Sequence, residues 1–211
     1  FGMAQFGAGD FGYEAAAAIG FGKGAFGYGQ FGLDADTIEW IFYNHLLSSI
    51  DREGVNFNYR NPLTSDGKRQ RHPWPSPACC PSNIARIIPQ LPRFMYSVNG
   101  SSLYIDQFAN STTATKIDGQ SLQIVQRTGY PWQGQIEVTL QPEKPLLMTL
   151  RIRIPSWCQG RPLTSHLYLA ETDEPTAFHV EVNGESVDAM SLSNGYLVLD
   201  RTWQAGDRLV L

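Results

Sequence analysis

Cysteine is nearly absent from this 211-residue chain, which has three. So small and odd a number supplies no disulfide framework, and it suits a reduced compartment or a metal site better than a secreted scaffold. Long apolar runs are missing as well. No stretch approaches the ~20 residues that crossing a bilayer takes, so no membrane partner is expected. The first residues show no basic segment followed by an apolar one, although a cleaved leader leaves no trace, and the compartment stays open between cytoplasm and periplasm. Clustered positive charge is the third absence. Sixteen Lys and Arg stand against twenty Asp and Glu, a net charge of −4. The basic residues are scattered and form no face for a phosphate backbone, which excludes nucleic acid as an expected partner. A chain of this length can still bury about 70% of its unfolded surface, so one or two real cores are expected without staples.

Two of the three cysteines are adjacent, in the run Pro77-Ala78-Cys79-Cys80-Pro81-Ser82-Asn83-Ile84-Ala85-Arg86. Neighbouring cysteines cannot easily bond each other, because disulfide geometry wants well-separated Cα atoms. Three readings stay open for the doublet: a shared metal, a nucleophilic thiolate, or two small buried hydrophobes.

The chain divides into three zones. Residues 1–35 repeat Phe-Gly at Phe1, Phe6, Phe11, Phe21, Phe26 and Phe31. A period of five matches neither the 3.6 of a helix nor the 2.0 of a strand, so this zone reads as low complexity, its letters standing in part for poorly identified chain. Residues 36–97 begin with one expected helix over 36–54. Asp36 would cap it, Glu39 would complete the capping box, and Ile38, Ile41, Phe42, Leu46 and Ile50 follow helical spacing to Gly54. His45 beside that stripe reads as a core histidine with no chemical role.

A proline-rich loop follows from Val55 to Pro81. Lys68, Arg69, Arg71 and His72 give it positive charge just before Trp74 and the cysteines, and nearby cations hold a thiol as thiolate. Ser82 or Asn83 would cap a second helix carrying Ile84, Ile87, Ile88, Leu91, Phe94 and Met95. Pro89 and Pro92 should kink or break it near Ile88. The cysteines would then precede a helix N-terminus, whose free N–H groups also favour a thiolate.

Residues 98–211 read as an antiparallel β-sandwich. Expected strands include Leu103–Ile105, Leu122–Val125, Ile136–Leu140, Met148–Ile154, His179–Val182 and Tyr196–Leu199. Asn99-Gly100, Asp118-Gly119, Asn183-Gly184 and Asn194-Gly195 supply turns that need positive φ. Trp132, Trp157 and Trp203 read as sandwich core or inter-domain packing, and Cys158 as a buried structural thiol. Arg208–Leu211 reads as a strand at the terminus. Left unpaired it would be an aggregation-prone edge, so the chain is expected to be a piece of something longer.

The doublet run, taken with Phe94-Met95-Tyr96-Ser97 and Leu103-Tyr104-Ile105, resembles the β-L-arabinofuranosidase family, glycoside hydrolase family 127. Arg153-Ile154-Pro155-Ser156-Trp157-Cys158, Val182-Asn183-Gly184, Gly195-Tyr196 and Arg201-Thr202-Trp203-Gln204-Ala205-Gly206-Asp207 are similar to its sandwich motifs. Asn61-Pro62-Leu63 to Asp66-Gly67-Lys68 is similar to its loop before the cysteines. The resemblance covers about residues 36–211. It implies an α+β multidomain protein, in which the end of an (α/α)6 helical barrel precedes the sandwich.

The resemblance also implies chemistry. Cys79 would be the nucleophile of a retaining hydrolysis and would bind zinc together with Cys80. Tyr13–Gly20 resembles the family's upstream Glu-x-Cys segment, which would make Glu14 a further zinc ligand and put Ala16 where a third thiolate belongs. The family's general-acid glutamate would fall before or around Phe1 and has no counterpart here, so the chain as written is expected to be inactive by itself. Trp74 and His72 are the candidate substrate-binding residues, Trp74 because an aromatic face can stack on a furanose. The partner is an L-arabinofuranose-type glycan, with a homodimer left open. Two other classes remain: a non-catalytic carbohydrate-binding sandwich, and a structural zinc or redox-sensing site.

Overall fold

The computed structural model describes residues 31–59, 64, 66–74, 78–160, 176–187 and 192–211. Helix α1 (Phe31–Ile41) runs into a π-helical turn (Phe42–Leu46) and a 3-10 turn (Leu47–Ser49). A short ribbon of β1 (Asn56–Phe57) and β2 (His72–Pro73) follows, then helix α2 (Cys79–Ile87), which tightens into a 3-10 helix over Ile88–Phe94. Among the described residues eleven further strands follow: β3 (Tyr96–Asn99), β4 (Ser102–Ile105), β5 (Ser111–Ile117), β6 (Gln120–Thr128), β7 (Ile136–Pro142), β8 (Leu146–Arg153), β9 (Glu181–Val182), β10 (Glu185–Ser186), β11 (Leu192–Ser193), β12 (Tyr196–Trp203) and β13 (Asp207–Val210).

Those eleven strands form two sheets, in the orders β10-β9-β13-β7-β6-β5 and β11-β12-β8-β4-β3. Period-two burial drives the pairing. Leu122 and Ile124 on β6, Val138 and Leu140 on β7, and Met148, Leu150 and Ile152 on β8 all point into one core, which Trp203 closes. The Trp203 indole N–H donates to the Met148 carbonyl at 3.2 Å. Asp118-Gly119, Asn183-Gly184 and Asn194-Gly195 each hold positive φ at both residues and link their strands in two-residue hairpins. This geometry matches the twist of the strands.

Several expectations change. The described helix starts at Phe31, so the Phe-Gly zone ends in regular structure and Asp36 and Glu39 lie inside α1. They form no capping box, because Arg153 takes both carboxylates. The helical spacing does not persist to Gly54; the chain turns π and then 3-10 before Ile50. His45 is exposed. Helix α2 starts at Cys79, so the cysteines open it, while the break at Ile88 falls where the prolines put it.

The sandwich differs from expectation in four places. It carries one parallel pair, β4 with β8. Strand β13 is interior, paired with β7 and β9, so it leaves no open edge. Trp132 is 92% exposed while Trp203 is fully buried. Only Glu181–Val182 of the expected 179–182 strand is paired.

Candidate active site

Cys79 and Cys80 occupy the first turn of α2. Pro81 is tolerated there because first-turn amides have no intrahelical acceptor to lose. The side chains of Asn83 and Ser82 donate back to the Cys79 carbonyl at 2.7 and 3.1 Å, which fixes the backbone under the thiol. Neither residue caps the helix.

The two sulfurs stand 3.7 Å apart, and the Tyr59 hydroxyl lies 3.9 Å from the Cys79 Sγ. Cys79 is exposed, yet its thiol is held below the ordinary range. The largest cause is the hydrogen bond shared with Cys80, followed by that with the Tyr59 hydroxyl, with smaller help from amides at the helix start. Cys80 is pushed the other way by the same bond. The pair is therefore polarised, Cys79 being the more readily ionised thiol of the two. The leading causes are these neutral neighbours, not the basic loop before the helix.

Tyr59 escaped the sequence reading. It has no motif of its own, and its place depends on contacts from distant chain. The Asn58 amide donates to the Ser49 carbonyl at 2.9 Å, and Arg71 donates to the Ser48 carbonyl at 2.6 Å, so both strands of the ribbon are pinned to the end of the first helical segment. His72 is exposed and pairs opposite Phe57. Trp74 packs edge-on against Phe57 at 5.6 Å between ring centres and keeps 55% of its surface open. The ribbon thus carries His72, with Trp74 and Tyr59 just beyond its opposite ends. Glu14 lies outside the described residues, and among the described residues no three His, Cys, Asp or Glu side chains gather as a metal cage.

The junction between the helical segment and the sandwich centres on Arg153, which the sequence offered as the first residue of a sandwich motif without any sign of its partners. Its guanidinium binds Asp36 at 2.6 Å and Glu39, and its Nε donates to the Asp106 carbonyl at 2.6 Å. Tyr130 donates to Glu39 at 2.9 Å, and the Ser156 amide to Asp36 at 3.2 Å. Burial pushes the Asp36 carboxyl up more strongly than the Arg153 charge pulls it down. A cleft of about 130 Å³ opens here, between α1 and Ser156-Trp157. Cys158 is half-buried against the sandwich core, and burial raises its thiol.

A helix opened by paired thiols, followed along the chain by a two-sheet sandwich, matches known glycoside hydrolases. The model of the catalytic domain of GH127 β-L-arabinofuranosidases matches residues 29–93, and that of their middle domain matches residues 102–211. The chain belongs to glycoside hydrolase family 127. A non-reducing end β-L-arabinofuranosidase of Bifidobacterium longum subsp. longum is 29% identical over 191 residues, 83% of this chain and 26% of that one. A solved GH127 β-arabinofuranosidase superposes with a TM-score of 0.79 at 36% identity, covering 85% of this chain and 28% of its own. The GH127 β-L-arabinofuranosidase of Geobacillus stearothermophilus T6 gives 0.71 at 33%, covering 85% and 27%. The chain thus spans about a quarter of the length of these relatives.

Proposed function

We propose that this chain is the thiol-bearing part of a retaining β-L-arabinofuranosidase, with Cys79 as nucleophile. The carrying observation is the polarised pair: an exposed Cys79 sulfur whose ionisation is favoured, 3.7 Å from the Cys80 sulfur, at a helix start. The thiolate attacks the anomeric carbon, and the bond to the leaving-group oxygen breaks as a general acid supplied outside the described residues protonates it. Water then attacks the same carbon, gives its proton to the conjugate base of that acid, and releases the sulfur. Two inversions return the original configuration. Most retaining glycosidases use a carboxylate here; sulfur serves because its thiolate is accessible near neutral pH. Trp74 offers an open face for a furanose, and His72 a polar contact beside it.

The two sulfurs fit two positions of a tetrahedral zinc. Two thiolates on a tetrahedral zinc with bonds of about 2.3 Å lie about 3.8 Å apart, against the 3.7 Å between Cys79 and Cys80. These two would hold the ion, with Glu14 the proposed third ligand. Bound zinc would keep sulfur deprotonated at neutral pH. Cys80→Ser in the full-length protein should lower zinc content measured by elemental analysis.

The test of the nucleophile is Cys79→Ala in the full-length protein, assayed on an aryl β-L-arabinofuranoside. Turnover should fall by at least ~10³-fold, and retention of activity within tenfold would refute the assignment. The exposed ring of Trp132, in the loop between β6 and β7, favours a second reading, a sandwich that binds arabinofuranosyl glycans without cleaving them. Binding that survives Cys79→Ala, with no hydrolysis by the unaltered protein, would support it.

A further inference from the structure

Arg153 belongs to the sandwich, at the end of β8, yet it grips both stretches of chain that place Cys79. One route starts at α1, where Arg153 holds Asp36 and Glu39. From there the chain runs through the π and 3-10 turns to Ser49, whose carbonyl takes the Asn58 amide at 2.9 Å. The next residue is Tyr59, which faces the Cys79 sulfur at 3.9 Å. The other route starts at Asp106, whose carbonyl takes the Arg153 Nε at 2.6 Å and whose amide donates to the Met95 carbonyl at 2.9 Å. Met95 directly follows the 3-10 helix that leads back through α2 to Cys79. The routes also touch, Phe42 meeting Phe94 edge-on at 5.5 Å. Arg153 is fully buried, and its planar fork satisfies three acceptors that one ammonium cannot reach together.

We propose that Arg153 is a positioning residue for the thiol: it locks the helix that carries Cys79 and the loop that carries Tyr59 in one register, so that the sandwich sets the geometry of the nucleophile without touching substrate. This rests on the assignment of Cys79 as nucleophile, but the test is separable from it. Three full-length variants are compared with the unaltered protein: Arg153→Met, Arg153→Lys and Glu39→Gln. Two readouts are taken. One is kcat and KM on an aryl β-L-arabinofuranoside, and the other is the rate of Cys79 alkylation by iodoacetamide, followed by peptide mapping. Circular dichroism reports folding.

Arg153→Met should lower kcat at least tenfold with KM within threefold, and change the alkylation rate at least threefold. Arg153→Lys should not rescue either value, since the fork and not the charge is needed. Glu39→Gln, which removes one arm of the grip, should give a smaller change of the same kind and carries the test should Arg153→Met not fold. Folded variants with kcat and alkylation both within twofold of the unaltered protein would overturn the proposal, as would full rescue by lysine. Alkylation requires no turnover. An unaltered protein without hydrolytic activity would therefore sink the enzymatic reading and leave the positioning test intact.

Discussion

In the sandwich, Leu103, Leu150, Leu197 and Leu209 have no exposed surface, whereas in the helical segment Trp40, Ile41, Leu47 and Ile88 each leave about two fifths of theirs open (41, 40, 42 and 39%). The first region satisfies itself: two sheets face one continuous core. The second is held from outside, through Arg153 and through hydrogen bonds at the ends of its turns. The thiol pair sits in the second region. Stability is therefore concentrated in one half of the chain and the reactive groups in the other, the reverse of a site built into its own core. Residues that make contacts of low local stability are the usual carriers of binding and chemistry, and here a rigid neighbour compensates.

The largest way to break this comparison is Trp203→Ala. Removing the ring that closes the core should cost about 3–5 kcal/mol, read by denaturant unfolding with unchanged m-value. A loss under about 1 kcal/mol would mean that the sandwich core does not dominate stability.

Asp106 tests the seam between the halves. Its carboxyl accepts from Tyr196 at 2.6 Å and Ser97 at 2.7 Å, but burial raises it more than these bonds and the Arg153 charge lower it. Asp36 is raised for the same reason. A carboxyl whose pKa rises on folding binds its proton more tightly in the native state. Its contribution to stability is full below the unfolded value of about 3.9 and is lost as pH rises through the native one. Asp106→Asn should therefore flatten the decline of stability from acid toward neutral pH, measured as unfolding midpoints at stepped pH. An unchanged slope would assign the decline to other groups.

Turn chemistry gives a smaller effect. Asn194 stands at φ 51° ahead of Gly195 at 82°, where a side chain without a local hydrogen-bonding group is strained. Asn194→Ala should cost about 1 kcal/mol by thermal unfolding, while Asn194→Gly should be near neutral. A cost for glycine as large as for alanine would assign the effect to lost contacts instead of backbone strain.

These turns mark what the sequence makes legible. Period-two burial and the Asn-Gly and Asp-Gly pairs locate most long strands of the sandwich, because each is a local signal that the fold obeys. The doublet was equally visible. What stayed hidden depended on partners far along the chain. Asp36 and Glu39 have the spacing of a capping box, but three residues apart inside a helix is also the spacing of two carboxylates on one face, and only Arg153, 117 and 114 residues away, decides between them. Tyr59 reaches the thiol across 20 residues of sequence. Trp132 and Trp203 read alike in sequence, yet one tips a loop and the other fills the core.

The smallest effect sharpens the comparison most. Ile41 lies at the end of α1 with 40% of its surface open, so Ile41→Ala in the 211-residue chain should change stability by less than about 0.5 kcal/mol. The same substitution in a protein of the relatives' full length reports whether that face is covered there. A loss of about 2 kcal/mol or more would be the signature of a side chain packed into a second core, and the helical segment would then be an unfinished part of a larger helical domain, held in place by Arg153 on one side and by that core on the other. A loss that stays under about 0.5 kcal/mol in both would leave the sandwich as its main support, and would make the grip of Arg153 on Asp36 and Glu39 the principal reason that the thiol pair has a fixed position.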